Sequence, residues 1–171
     1  NKKQIDDTIK AYSNSFKAFY QDEKGEKYMP DIDPYYWSRY AKNIVDYGHP
    51  GDILKDGQPF DTHQLAPNGR FVFPDMFHAY SLAYFYKFLH FLNSSITIEY
   101  VDIIYPPIAL GIALVFFFLL VRKLFNYRAA LISSAFLAVI PAFLFRTMAG
   151  ISDKEALGVL FMFMAMYFFV Y

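Results

Sequence analysis

The sequence predicts an all-α protein: a truncated, polytopic bundle of membrane helices behind a large external first loop. Hydrophobic residues make up 56% of its 171 residues and aromatic residues 21%, whereas only 19% are charged. Three uncharged runs lie in the second half of the chain, at residues 103–121, 129–145 and 156–171. A soluble domain would have too little polar surface to cover three such runs, which disfavours the alternative of core helices in a soluble protein.

The three runs have lengths that suit membrane spans. Residues 103–121 reach across the roughly 30 Å of bilayer hydrocarbon at about 1.5 Å per residue. Residues 129–145 are fewer and include Pro141, which membrane helices tolerate. The third span, 154–171, is still apolar where the sequence stops. Because the chain also begins without Met, we expect a trimmed piece of a longer protein with an incomplete last span.

Charges between the spans predict the topology. Arg122, Lys123 and Arg128 lie between the first two spans without any acidic residue, and loops rich in Lys and Arg stay on the cytoplasmic side. The region 1–102 and the turn 146–155 would then both lie outside. Two segments far apart in sequence are therefore predicted to share one face of the membrane.

The external region, 1–102, is predicted to contain helices and loops. Residues 5–20 are weakly amphipathic, and residues 34–47 carry apolar and aromatic side chains at helical spacing. Residues 48–69 are rich in Gly, Pro and Asp and predict a loop. The aromatic stretch 71–92 leaves two alternatives, an interfacial helix or a short span, and a crossing there would reverse the side assigned to the residues before it.

Several classes of function are disfavoured by what the sequence lacks. It has no cysteine and a formal net charge of zero, so thiol chemistry is excluded and nothing favours nucleic-acid binding. A Gly-rich phosphate loop, a nucleophile elbow and an HExxH motif are also absent. The histidines lack metal-ligand spacing, and His78 and His90 are expected at the membrane interface.

The first group of acidic residues, Asp31 and Asp33, has two compatible interpretations. In an extended segment, residues two apart point the same way, so both carboxylates could address one cation. Alternatively, Asp33 before Pro34 predicts an N-cap followed by Pro at the first helical position. A capping carboxylate would still keep one oxygen free for a ligand.

The second acidic group lies in the turn 146–155. Ser152 and Glu155 have the spacing of a capping box, and acidic residues are favoured at a helix N-terminus. Capping does not explain why a tight turn beside the hydrocarbon holds so many polar groups, which are costly there and tend to mark function. Arg146 is predicted to hold the carboxylates through a bidentate pair.

Both acidic stretches resemble those of a known family. The stretch Asp31-Ile32-Asp33-Pro34-Tyr35-Tyr36-Trp37-Ser38-Arg39-Tyr40-Ala41 resembles the first acidic motif of the catalytic subunit of oligosaccharyltransferase, in its single-subunit archaeal form. The turn 146–155 is similar to that family's second acidic motif, and the loop 67–69 is similar too. In the family, two spans separate the motifs, as here. The resemblance covers the chain from Asp31 to its end and implies the GT-C class of membrane glycosyltransferase.

The resemblance implies roles for individual residues. Asp33, Asp153 and Glu155 would bind a divalent metal ion, Mn²⁺ or Mg²⁺, and Asp33 would also approach the acceptor amide. Arg146 would order this cluster, so that Asp33, Arg146 and Glu155 are the implied catalytic residues. The family often has Asp where Glu155 stands, which leaves open whether Glu155 binds the metal or pairs with Arg146. His63 matches a loop residue near the donor phosphate.

The implied reaction transfers a glycan from dolichyl phosphate or diphosphate to the Asn nitrogen of Asn-x-Ser/Thr. It takes place at the extracytoplasmic face of a multi-pass cell-membrane protein. Two alternatives remain open: another polytopic glycosyltransferase with a lipid-phosphate sugar donor, and a non-enzymatic transporter or anchor whose acidic residues only cap helices. The isolated chain is expected to be inactive, because the family also needs later external loops and a C-terminal domain.

Overall fold

Helices dominate the computed structural model, which describes residues 2–23, 25 and 27–170. The elements are, in chain order, α1 (Lys2–Tyr20), α2 (Asp33–Tyr47), β1 (Ile53–Lys55), β2 (Gln58–Asp61), β3 (Arg70–Phe71), α3 (Phe77–Leu92), α4 (Ile98–Leu124), α5 (Tyr127–Val139), α6 (Pro141–Phe145) and α7 (Lys154–Val170). The helical class predicted from the sequence is therefore correct for most of the chain, with one exception in the external region.

That exception is a small antiparallel sheet in the order β1-β2-β3, within the stretch predicted to be loop. Asp56 and Gly57 connect β1 to β2 with φ angles of 53° and 76°, which suits the Asp-Gly turn of a two-residue hairpin. The strict all-α prediction is thus wrong here. Strands of two to four residues are too short to show an alternating pattern, so the Asp-Gly pair was the available signal.

Helices α2, α3 and the start of α4 form the core of the external region. Gly48 ends α2 in the left-handed conformation, φ 82°, and its N–H donates to the carbonyl of Ile44. The buried side chains of this core are Tyr40, Ala41, Ile44, Met76, Ala79, Leu82, Ala83, Ile98, Val101 and Tyr105. Helix α3 exposes the side chains of Tyr84, Phe88 and Phe91. At 16 residues, α3 is shorter than the roughly 20 residues that a membrane span needs, which favours the interfacial alternative.

Among the described residues, one helix, α4, is long and apolar enough to cross a membrane. It begins at Ile98 rather than at residue 103, because Thr97 caps it by accepting the N–H of Tyr100. As a result, Asp102 lies inside the helix. Helix α7 packs along α4, where the small side chains of Ala109, Ala113 and Ala156 allow close approach of the two backbones.

The predicted second span, 129–145, is not one straight helix. Helices α5 and α6 meet at a bend of 65°, a geometry that fits a broken span or a re-entrant loop. Ile140, between the two helices, has extended backbone angles, since a residue preceding proline is driven out of the helical region by the ring of Pro141. The predicted span at 129–145 is therefore bent rather than straight, and the bend leads the chain directly into the second acidic motif.

Candidate functional site

A hydrogen bond joins the two acidic motifs. The indole Nε1 of Trp37 donates to Oδ1 of Asp153 over 2.8 Å, across 116 positions of sequence. Asp33 lies one helical turn before Trp37 on α2, and residues four apart share a helix face. Asp33 and Trp37 therefore lie on the same face of α2, and Trp37 contacts Asp153 directly. Trp37 was not singled out from the sequence, although it is the only Trp of the chain and lies within the first motif.

Backbone packing at Gly150 provides a second link between the motifs. Its N–H donates to the carbonyl of Ile103 over 3.0 Å, which fixes the turn to α4. Gly150 has a φ of 85°, and a Cβ placed there would lie 2.8 Å from Cδ of Pro30. Glycine at this position thus allows the second motif to rest against the residues that lead into the first.

Within the second motif, the carboxylates are only partly satisfied. Asp153 Oδ1 also accepts the N–H of Lys154 over 2.7 Å. Oε1 of Glu155 lies 3.9 Å from Nη1 of Arg146, whose side chain is 53% exposed. This single long contact contradicts the predicted bidentate pair. Oε2 of Glu155 is buried and has no hydrogen-bond partner among the described residues.

Neither capping interpretation describes these acidic residues. Ile32 is the N-cap of α2 and makes no side-chain cap bond, whereas Asp33 belongs to the first turn. Asp31 accepts the N–H of Ile32 over 2.7 Å, so Asp31 and Asp33 are not a parallel pair in an extended segment. The hydroxyl of Ser152 lies 3.5 Å from Nε2 of His78, which differs from the contact expected in a capping box. For Ser152, a tertiary contact has replaced the local one.

His78 is buried behind the site, which corrects its predicted interfacial location. It is 4% exposed, and its ring contacts Trp37 and Tyr105 at centroid distances of 5.2 and 5.4 Å. Burial lowers the pKa of His78 to about 4, and the negative charge of Asp153 opposes that shift only in part. His78 is therefore neutral near pH 7 and supports the indole of Trp37 from behind.

A separate network of charges fixes the external loop. Arg39 donates to Asp52 over 2.5 Å and to Asp61 over 2.6 Å. Nδ1 of His63 lies 3.0 Å from Oδ2 of Asp52. Burial acts to raise the pKa of Asp52, but hydrogen bonds from His63, the Thr62 backbone and Arg39 hold it well below its usual range. His63, the candidate for donor binding, remains 68% exposed.

Asp52, Asp61 and His63 hold ligand atoms within 4.8 Å of one another, close enough for a metal ion. The charges of this group do not favour a metal ion, because the guanidinium of Arg39 already pairs with the carboxylates of Asp52 and Asp61. Asp61 also accepts the Tyr40 hydroxyl and the N–H groups of residues 63 and 64. A cation would have to displace these donors, so this network is an ion-paired support for the loop.

The carboxylates of the two motifs have the chemistry of a hard cation site, although Asp33, Asp153 and Glu155 do not all lie within 4.8 Å of one another in the described structure. Asp33 is exposed at the start of α2, and Asp153 and Glu155 lie close enough to repel each other electrostatically. The buried Oε2 of Glu155 lacks a donor among the described residues. Mg²⁺ and Mn²⁺ prefer such carboxylate oxygens, and a cation would relieve the repulsion between the neighbouring acidic residues.

Fold and site together define a membrane-type helical chain that brings two distant acidic motifs together beside a membrane-length helix. The chain belongs to the family described as oligosaccharyl transferase STT3, N-terminal, whose family model matches residues 7–171. Members of this family are membrane proteins. The family resemblance seen in the sequence is confirmed.

Curated relatives carry names in accord with this family. The chain is 33% identical over 165 residues to the dolichyl-phosphooligosaccharide-protein glycotransferase of Methanocaldococcus jannaschii, covering 88% of this chain and 17% of that relative. Its Methanococcus voltae counterpart is 29% identical over 82% of this chain and 16% of its own length. The Schizosaccharomyces pombe dolichyl-diphosphooligosaccharide–protein glycosyltransferase subunit stt3 is 25% identical over 78% and 18%. The chain thus spans under a fifth of the length of these relatives.

Proposed function

We propose that this chain forms the metal- and donor-binding face of an oligosaccharyltransferase. The intact enzyme transfers a glycan from a dolichyl phosphate or diphosphate carrier to Asn in Asn-x-Ser/Thr. The family membership and the names of the relatives support this reaction. The single observation that carries the assignment to these residues is the Trp37–Asp153 hydrogen bond, because it holds the two acidic motifs together.

Asp33, Asp153 and Glu155 would hold the divalent cation, Mn²⁺ or Mg²⁺. When bound, the cation supplies positive charge that stabilises the leaving phosphate. Asp33, the most accessible of the three carboxylates, accepts N–H hydrogen bonds from the acceptor amide and so weakens its conjugation. Arg146, 3.9 Å from Glu155, partly neutralises that carboxylate and orients it toward the site.

His63 contributes to donor recognition from the external loop. Its ring is exposed but already held by its bond to Asp52. The side chain therefore loses less conformational entropy when it contacts a ligand. Nδ1 faces Asp52, so Nε2 is the atom available to a phosphate oxygen. The carrier is an isoprenoid lipid. A cavity of about 620 Å³ beside Ala149 and Gly150 has the apolar lining that an isoprenoid chain requires.

Residues 1–102 and the turn 146–155 lie on the extracytoplasmic side in this proposal, as the basic loop 122–128 indicates. A site at this membrane boundary gives a lipid-borne donor and a water-borne acceptor access to the same carboxylates. Helix α4 crosses the bilayer, and the bent α5–α6 pair returns the chain to the outer face. The protein is thereby a multi-pass membrane protein.

The test replaces Asp33 and Asp153 singly by Asn in the full-length protein. Each variant should lower transfer to a sequon peptide by about a hundredfold or more, since changes outside the ligand shell alone cost about 10–100-fold. Asp46→Asn, an exposed change at the far end of α2, is the matched control. Mn²⁺ titration of each folded variant measures the metal site directly.

Outcomes of this experiment separate the alternatives. Transfer near the wild-type rate in both variants would contradict the metal site. If the wild-type protein glycosylates another acceptor and leaves sequon peptides unchanged, it is a different lipid-phosphate-dependent glycosyltransferase. If it binds donor lipid without transferring sugar to any acceptor, the transporter or anchor interpretation holds.

A further inference from the structure

Asp102 is a fully buried acidic residue that the proposed function does not use. It lies near the outer end of α4 and is 0% exposed. Both of its carboxyl oxygens lack a hydrogen-bond partner among the described residues. Buried carboxyl groups are costly unless hydrogen bonds compensate them, so groups around Asp102 are expected to supply donors.

Two buried hydroxyl groups face this carboxyl. Ser38 on α2 is 8% exposed and Ser152, in the turn before α7, is 0% exposed. The Gly150 N–H donates to the carbonyl of Ile103, the residue after Asp102, so the turn that carries Ser152 packs against this part of α4. Ser38 and Ser152 are the two hydroxyl groups that act on the Asp102 carboxyl, although neither meets hydrogen-bond geometry. A hydroxyl hydrogen rotates freely about its C–O bond, so a small adjustment of either side chain would satisfy an oxygen of Asp102.

The position of these hydroxyls in the sequence connects them to the site. Ser38 follows Trp37 and Ser152 precedes Asp153, the two residues joined by the hydrogen bond between the motifs. The two hydroxyls that act on Asp102 are therefore the sequence neighbours of the two residues that form this bond. The other fully buried acidic residue among those described, Asp61, is already paired with Arg39 and Tyr40.

We infer that Asp102, Ser38 and Ser152 form a buried junction that sets the separation of the two acidic motifs. This inference rests on the proposed function. After a small side-chain adjustment the Asp102 carboxyl accepts these hydroxyls, and those bonds hold α2 and the start of α7 against α4. Asp102 is a positioning residue, because it is enclosed by protein and acts on the metal ligands only through their chain neighbours.

The experiment measures Mn²⁺ binding to the full-length protein without donor or acceptor. Asp102→Leu removes both acceptor oxygens at similar volume and should weaken Mn²⁺ affinity about tenfold or more, the range expected for groups that orient ligands. Asp102→Asn keeps one acceptor oxygen and should stay within about threefold of wild type. A purely structural role predicts equal Mn²⁺ affinity in all folded variants.

Glu99→Gln is the control for charge alone, since it removes a carboxylate one turn earlier on α4 that acts on Asp102 only electrostatically. Its Mn²⁺ affinity should equal that of wild type. If Asp102→Leu fails to fold, Ser38→Ala and Ser152→Ala replace it, because each deletes only one oxygen. Together, these two changes should weaken Mn²⁺ binding about tenfold.

Two results would overturn the inference. One is wild-type Mn²⁺ affinity in folded Asp102→Leu or in the double serine variant. The other is an equal loss of affinity in Asp102→Asn and Glu99→Gln, which would indicate a nonspecific charge effect. Asp153→Asn distinguishes the two proposals: if it leaves Mn²⁺ binding intact, the metal site itself fails, whereas loss in Asp153→Asn alone refutes only the buried junction.

Discussion

At the residue scale, Trp37 combines two tasks that are usually separate. Its ring packs against His78 in an edge-on contact, while its N–H donates to Asp153. A buried face therefore holds the indole in place, and the polar edge of the same ring orients a candidate metal ligand. Groups of this kind act by fixing ligand geometry before the ligand binds.

Replacing Trp37 by Phe keeps most of the ring and removes the N–H donor. Because hydrogen bonds to charged groups contribute about 1.5–3 kcal/mol, we expect the apparent free energy of unfolding to fall by about 1–2 kcal/mol. Mn²⁺ affinity should also fall about tenfold, measured by titration of the full-length protein. Tyr47→Phe, at the exposed end of α2, is the control. Unchanged Mn²⁺ affinity in Trp37→Phe would show that the bond does not orient Asp153.

His78 predicts how stability depends on pH. Its folded-state pKa of about 4 lies below the value near 6.5 of a solvated histidine, so folding favours the neutral ring. This contribution is complete above about pH 6.5 and is lost as the pH falls toward 4. Thermal unfolding followed over that range should show a steeper loss of stability in wild type than in His78→Leu.

Titration of Asp52 and Asp61 affects stability in a different pH range from that of His78. Burial acts to raise the pKa of Asp61, but its bonds to Arg39 and Tyr40 lower it overall, as hydrogen bonds lower that of Asp52. Lowered carboxyl pKa values remove stability only below about pH 4, where the unfolded carboxylates become protonated. If stability changed equally with pH in wild type and His78→Leu between pH 6.5 and 4, the lowered pKa of His78 would be refuted.

At the element scale, the bend between α5 and α6 delivers the second motif to its place. Pro141 prevents a continuous helix, and the 65° change of direction brings the following turn against α4 and Pro30. Gly150 completes the path because it adopts a positive φ and leaves room for the Pro30 ring. Pro141 and Gly150 therefore determine the path of the connection between the spans.

Gly150→Ala should separate the turn from the first motif. A left-handed conformation costs an L-residue about 1–2 kcal/mol, and the added Cβ would lie 2.8 Å from Pro30 Cδ. We expect a lower melting temperature together with weaker Mn²⁺ binding. Gly158→Ala is the matched control: nothing lies within 4 Å of its Cβ position, and Ala in helix α7 should stabilise by up to about 1 kcal/mol. Equal melting temperatures would contradict this role of Gly150.

At the scale of the whole molecule, the placement of both acidic motifs on one side follows from a structural contact and from a charge rule. The Trp37–Asp153 bond requires that the two residues share a side of any membrane crossed by α4. The basic loop after α4 suggests which side that is. Helix α3 supports the arrangement, since it packs on α2 and α4 in the same core.

The topology can be tested with single cysteines, because the chain has none of its own. Ser94→Cys and Phe125→Cys place thiols at exposed positions before and after α4, in a full-length protein from which other cysteines have been replaced. A membrane-impermeant thiol reagent should label residue 94 in intact cells and residue 125 only after permeabilisation. Labelling of both positions from the same side would contradict a crossing by α4. Labelling after denaturation controls for thiol reactivity.

Local signals explain which parts of the fold were predictable. The lengths and hydropathy of α4 and α7, and the helical spacing of α2, depend on neighbouring residues, so the sequence alone indicated them. The β1–β2–β3 sheet was missed because its strands are too short to show a period. The capping interpretation of Asp33 failed because α2 begins one residue earlier, with Ile32 as its N-cap. The one for Ser152 failed because its hydroxyl contacts His78 instead.

By itself, the sequence determined that the chain contains membrane-type helices and that Asp33, Arg146, Asp153 and Glu155 belong to two recognisable motifs. Only the tertiary structure decided how those motifs meet, through Trp37, Gly150 and the buried neighbours His78 and Asp102. The physical reason is the range of the interactions. Hydrophobicity and motif spacing are properties of residues that are close together in sequence. A hydrogen bond across 116 positions forms only after four helices have packed.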